Sequence, residues 1–89
     1  MLRLKDLRTF LIVCDTGAFG RAADVLNTAQ SHVGARMRRM EHDIGAPLFH
    51  RLHRGIRPTP KGELLYRHAQ RVFREIDDLE RSVMQRDAA

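Results

Sequence analysis

The stretch NTAQSHVGARMRRMEHDIGAPLFHR, residues 27–51, decides the fold. Asn27 and Thr28 read as a tight turn, because both favour turn geometry over helix interior. From Gln30 to Asp43 the apolar positions Val33, Met37 and Met40, continued by Ile44, recur at steps of four, three and four residues. That spacing predicts a helix with its apolar stripe facing inward. Arg36, Arg38 and Arg39 fall off the stripe and must face outward or sideways. Gly45 supplies a helix stop, and Pro47 blocks any continuation. Leu48–Leu52 then reads as a short strand, His53-Arg54-Gly55 as a turn, and Ile56-Arg57-Pro58 as a returning strand, which together make a small hairpin tipped by Arg54 and Gly55.

Working outward from this stretch, Leu4, Leu7, Phe10, Leu11 and Cys14 share one face of a helix expected over residues 4–15, which Thr16-Gly17 ends. A short helix is expected over residues 21–26, with small Ala22 and Ala23 permitting close approach and Phe19 anchoring its start. On the other side, Thr59 is a good N-cap and Pro60 a good first helical residue. Leu65, Ala69, Val72, Ile76, Leu79 and Val83 then recur at alternating steps of four and three. A mean step of about 3.5 residues is a coiled-coil seam, so this helix is expected to pair with a second copy. Leu64 and Phe73 widen the stripe and are expected to dock on the first helix. The competing reading is a helix packed only on its own domain. The tail after Met84 is polar and is expected to fray.

Bulk properties narrow the function classes. The chain has 89 residues, 43% hydrophobic and 30% charged, as expected of one small folded domain. Its formal net charge is +5, with a pI near 10.6. Fourteen of the 16 Lys and Arg residues are Arg, whose planar fork suits phosphate and guanine edges. Residues 1–60 hold ten basic and five acidic side chains, whereas residues 61–89 hold six of each, so the whole surplus lies in the first two thirds. Cys14 is the lone cysteine, excludes an internal disulfide, and reads as a small core thiol. No apolar run approaches membrane-spanning length and the opening residues do not read as a signal peptide, so a cytoplasmic protein with no membrane partner is expected. His42, His50, His53 and His68 are scattered, no HExxH, CxxC or Gly-rich phosphate loop occurs, and Ser31 beside His32 is not a catalytic pair by adjacency. Catalysis, a metal and a cofactor are therefore not expected.

Gly17-Ala18-Phe19, Ala22-Ala23, Leu26, Gln30-Ser31, Glu41 with Gly45, Leu48-Phe49 with Arg51, and Thr59 with Gly62 fall in an ordered register, led by Leu4, Leu7 and Phe10. In this register the chain resembles the LysR-type transcriptional regulators over nearly its whole length. The resemblance implies a mainly α winged helix-turn-helix over residues 1–59, three helices plus a β-hairpin wing, followed by a linker helix over residues 60–89. It implies pairing of subunits through that helix, assembly of the full regulator into tetramers, and a small-molecule effector bound by a further C-terminal domain that these 89 residues do not contain. The chain departs from the family pattern at Ala18, Gly20, Ala29, Gly34 and Arg36, where neutral hydrogen-bonding residues are usual. With Ala29 unable to cap the third helix, Thr28 is expected to do so.

The function implied is sequence-specific binding of double-stranded DNA, with the helix over residues 30–43 in the major groove and the wing at the minor groove. The expected contacts are Gln30, Ser31, His32, Gly34, Ala35, Arg36, Arg51 and Arg54. Gln30 is the candidate for adenine, the alternative being a helix-start residue facing water. Arg36 reaches a base or a phosphate. His32 donates to a phosphate or a base, or is merely solvated. Gly34 and Ala35 remove bulk at the groove. Arg51 is expected to grip phosphate, Arg54 to enter an A·T-rich minor groove, and Arg57 to add a phosphate contact. Arg38 and Arg39 can instead pair with Glu41 or Asp43. A homodimer would prefer an inverted repeat with half-sites about one helical turn apart. The alternative class is a protein-interaction module on the same helical scaffold, which would need neither the uneven charge nor an Arg-tipped wing. A different winged-helix family is a third reading, against which the residues from Gly17 to Gly62 argue.

Overall fold

The computed structural model describes residues 1–85. In chain order these form α1 (Leu4–Thr16), α2 (Phe19–Leu26), α3 (Gln30–Ile44), β1 (Phe49–Arg51), β2 (Ile56–Pro58) and α4 (Pro60–Met84). Residues 86–89, most of the tail expected to fray, lie outside the described residues.

Each boundary has a local cause. α1 ends where the Gly17 N–H donates to the Val13 carbonyl at 2.9 Å. α2 starts at Phe19, two residues before the start read from the sequence; Ala18 is extended, and Phe19 and Gly20 already form the first turn. It ends at Asn27, whose φ of 53° is left-handed, a conformation Asn tolerates better than other side-chain-bearing residues. α3 is preceded by Ala29 with no side-chain cap. The expectation that Thr28 caps it is corrected: the Thr28 hydroxyl meets the His32 ring instead, at 3.3 Å from Nδ1. Thr59 does cap α4, accepting from the Gly62 N–H at 3.1 Å while its hydroxyl donates to the Pro47 carbonyl at 2.7 Å.

The two strands pair antiparallel with Phe49 opposite Pro58, His50 opposite Arg57 and Arg51 opposite Ile56. β1 is a residue shorter at each end than the sequence suggests, because Leu48 turns fully into the core. There the Leu48 N–H donates to Glu41 Oε2 at 2.7 Å, which ties the base of the hairpin to the end of α3.

The core lies between the three short helices and the hairpin. Phe10 and Val13 from α1, Val33, Met37 and Met40 from α3, and Leu48 are all enclosed. Phe49 packs between Phe10, with ring centroids 5.3 Å apart, and Phe19, edge-on at 5.7 Å. Ala22 and Ala23 are buried, and their small side chains let α2 sit close to its neighbours. Gly62 allows α4 to pass directly against the hairpin base, since a Cβ there would collide with the Leu48 carbonyl oxygen.

α4 divides along its length. Its first half docks on α1: Ala69 is buried, the Tyr66 hydroxyl donates to Asp15 Oδ1 at 2.6 Å, and the Arg8 guanidinium lies 5.3 Å above the Phe73 ring. Its second half runs past the domain, and the described residues span 57 × 26 × 20 Å.

Candidate nucleic-acid interface

α2 and α3 are joined by the three residues Asn27–Ala29 and form a helix-turn-helix, and the hairpin lies beside α3 as a wing. Val33, Gly34, Met37 and Met40 turn α3 inward, which leaves Ser31, His32, Ala35, Arg38, Arg39 and His42 exposed on the opposite side. Ser31, Ala35 and Arg39 are four residues apart and form one line along this outward face. Ala35 is the shallow point of that line.

The sequence-derived candidates separate into those that face outward and those that do not. Gln30 is exposed at the first helical position, and its amide leans on α2: a Cβ on Gly20 would stand 3.3 Å from Gln30 Oε1. The departure at Gly20 is thus the space into which Gln30 settles. His32 is exposed, with its ring held at Thr28. Gly34, expected to bring backbone to a groove, is buried beneath the exposed Arg38, whose Nη1 would stand 3.3 Å from a Cβ there.

Arg36 makes contacts within the domain. Its Nη1 donates to Thr9 Oγ1 at 3.2 Å, and its Nε lies 3.9 Å from Asp6 Oδ1. Thr9 Oγ1 donates in turn to the Lys5 carbonyl at 3.0 Å. Asp6 and Thr9 are both buried on α1. A buried carboxylate is costly without a cationic partner, so Arg36 braces α3 against α1 rather than reaching out.

Arg38 and Arg39 do not form the ion pairs that the sequence offered them. Both are exposed and neither makes an ion pair among the described residues. Glu41, offered as a partner, is taken by the Leu48 N–H. The four-residue step from Ser31 through Ala35 to Arg39 was the signal available in the sequence.

The wing is fastened to the helix-turn-helix through backbone. The Ile56 N–H donates to the Gly17 carbonyl at 2.9 Å, and the Leu52 N–H donates to the Gly55 carbonyl at 3.0 Å, closing the turn. Gly55 has φ of 82°, and a Cβ on it would stand 2.5 Å from the Gly17 oxygen, so only glycine fits. Arg51 lies with its guanidinium 5.1 Å above the Phe19 ring. Phe19, Gly20, Gln30, Arg51, Gly55 and Ile56 line a shallow depression between α2, α3 and the wing. The first turn of α2 opens into it, adding free N–H groups and the positive end of the helix dipole to the Arg51 charge. Arg54 and Arg57 are exposed on the wing.

The remaining titratable features lie elsewhere. Burial, with a smaller push from Asp15, raises the half-buried Cys14 thiol to about 12. The hydrogen bond to Asp15 raises the Tyr66 phenol above its ordinary value, with burial adding to it. Both belong to the junction of α1 and α4, away from the exposed face of α3. Among the described residues no three His, Cys, Asp or Glu side chains gather to hold a metal, and no helix is long and apolar enough to cross a membrane.

The seam residues of α4 also separate. Ala69, expected to pair with a second copy, is enclosed by the chain's own core, and Leu65 packs against that core. Val72, Leu79 and Val83 are exposed, and Ile76 is half-buried between them.

This arrangement matches known proteins over most of its length. Residues 4–63 match the model of the bacterial regulatory helix-turn-helix protein, lysR family. The chain is 40% identical over 77 residues to the HTH-type transcriptional regulator YofA of Bacillus subtilis (strain 168), covering 86% of this chain and 27% of that protein. It is 38% identical over 77 residues to the HTH-type transcriptional regulator DgdR of Burkholderia cepacia, covering 86% of this chain and 26% of that one. It therefore spans about a quarter of the length of these relatives. Among solved structures, the BenM domain in complex with benA site 1 DNA superposes with a TM-score of 0.90 at 27% identity, covering 94% of each chain. The CbnR domain in complex with DNA superposes with a TM-score of 0.82 at 28% identity, covering 94% of this chain and all of that one. A helix-turn-helix, a wing locked to it and a long α4, together with these matches, identify the chain as a member of the lysR family of bacterial regulatory helix-turn-helix proteins.

Proposed function

We propose that this chain is the DNA-binding part of a transcription regulator and reads double-stranded DNA with α3 in the major groove. The observation that carries this is the outward line Ser31, Ala35, Arg39, flanked by exposed Gln30, His32 and Arg38 and free of competing ion pairs among the described residues. The BenM and CbnR domains, which superpose on this chain, were solved in complex with DNA. In this reading Gln30 and His32 face base edges, Ser31 and Ala35 set the depth of approach, and Arg38 and Arg39 neutralise phosphates. The depression beside Arg51 takes a backbone phosphate, and Arg54 extends the wing toward the minor groove.

Residues 1–59 would then be the winged helix-turn-helix, and residues 60–89 the linker region, whose helix α4 over Pro60–Met84 both completes it and joins two copies. The pairing surface is the open part of the seam, Val72, Ile76, Leu79 and Val83, rather than its buried start. A dimer favours an inverted-repeat operator. Assembly into tetramers and a small-molecule effector belong to the longer regulator. The reading entails a cytoplasmic location and no catalytic role.

Selection of duplexes from a random pool by the purified chain, followed against salt, tests this. We expect an inverted repeat and an affinity that falls steeply with salt as arginine–phosphate contacts release counterions. Gln30→Ala should cut the preference for selected over random sites by about 1–3 kcal/mol. Absence of binding at low salt would overturn the DNA reading.

A further inference from the structure

His32 is the one side chain on the exposed first turn of α3 whose orientation is fixed by a neighbour. Thr28, in the turn before the helix, is itself held by its backbone N–H, which donates to the Ala23 carbonyl at 3.0 Å. Its hydroxyl lies 3.3 Å from His32 Nδ1. Nε2 sits on the far side of the ring from Nδ1 and is left without a protein partner among the described residues, and His32 is exposed. Gln30 rests beside Gly20 with no side-chain hydrogen bond to aim its amide, and Arg36 is held by Thr9 and Asp6. His32 is therefore the donor on this turn that is aimed and still free.

We propose that Thr28 and His32 form a reading pair in which His32 Nε2–H donates to a purine edge in the major groove, with guanine as the preferred base. A threonine hydroxyl both donates and accepts. Beside neutral imidazole it donates to Nδ1, which leaves the ring proton on Nε2. Beside imidazolium it accepts from Nδ1–H, and Nε2 again carries a proton. In both protonation states the pair presents a donor at the same place. Guanine offers two adjacent acceptors there, N7 and O6, whereas adenine sets an amino donor beside N7 and cytosine offers only a donor. Thr28 is a positioning residue and His32 the reader.

The inference rests on the DNA-binding reading, and its test separates the two. The same duplex selection is run with the intact chain and with His32→Ala, Thr28→Val and Thr28→Ser, each checked for native helix content. The intact chain should enrich guanine about five- to tenfold at one position of each half-site. His32→Ala should lose that enrichment and keep the rest of the motif and the salt dependence. Thr28→Val should weaken it, and Thr28→Ser should restore it. An unchanged guanine preference in His32→Ala overturns the proposal, as does a uniform loss of affinity on all sequences, the mark of a phosphate contact. Enrichment of cytosine at that position would mean that Nε2 accepts, and adenine in place of guanine would mean that a single acceptor suffices; the first overturns the donor role and the second the guanine preference. An unchanged preference in Thr28→Val removes Thr28 from the pair. Only failure of the intact chain to bind any duplex takes the underlying reading down as well.

Discussion

The two halves of α4 carry the same apolar rhythm and meet opposite surroundings. From Leu65 to Phe73 the stripe packs on the domain through Leu65, Ala69 and Phe73, with Ala69 1% exposed. From Leu79 to Met84 the same stripe continues, yet Leu79 is 56% and Val83 71% exposed. The step of four and three residues fixes which side of a helix is apolar; it says nothing about what covers that side. Coverage is decided by the length of the neighbour: α1 has 13 residues and α4 has 25, about 20 and 38 Å of helix, so the longer helix must overhang.

Substitution in each half can break this contrast. The largest effect is expected from Ala69→Asp, which places a carboxylate in a closed apolar contact and should cost about 3–5 kcal/mol, enough to unfold so small a domain. Chemical denaturation followed by circular dichroism measures it, and alkylation of Cys14 gives a second readout. Burial holds the folded thiol near 12, so at pH 8 its thiolate is scarce and alkylation slow, and opening of the α1–α4 junction should accelerate it. A loss below about 1 kcal/mol would mean that the first half is not docked as described. Leu79→Asp should do the reverse. Its monomer should keep its stability within about 0.5 kcal/mol, while sedimentation shows weakened or abolished pairing. An unchanged dimer would remove the free half of α4 from the pairing surface. The smallest effect is expected from Tyr66→Phe, which deletes one exposed hydrogen bond to Asp15 and should cost about 0.5 kcal/mol in the docked half. Its loss should also vanish at high pH, where the phenol, raised above its ordinary value by Asp15, ionises and no longer donates.

The order of elements was legible because its signals are local. Thr59-Pro60 announces the start of α4, Gly45 with Pro47 the end of α3, and the stripe from Val33 to Ile44 the face that α3 buries. The start of α2 lies two residues before the expected one because Phe19 is drawn into the helix by packing edge-on against Phe49, a partner thirty positions away in sequence. Among site residues, exposure of Ser31, His32 and Ala35 follows from their places relative to the stripe, whereas Gln30 continues the stripe and is exposed because it opens the helix. Arg36 does not, since its inward turn depends on Asp6 and Thr9 on another helix. No spacing rule within α3 shows that these two buried polar groups need a cation. That Arg38 and Arg39 stay unpaired among the described residues was not legible for a similar reason, because Glu41 is engaged by the hairpin base and not by its own helix.

The bond between the Ile56 N–H and the Gly17 carbonyl has a consequence for how such a domain can change over time. The wing is hung on the helix-turn-helix by main-chain atoms, which no substitution other than proline at position 56 deletes. His53 and Arg54 sit outside that anchor, at the tip. Their chemistry can be exchanged freely while the distance and angle between wing and α3 stay fixed. A regulator built this way can acquire a new preference in the flanks of its operator without rebuilding its frame, provided Gly55 is kept.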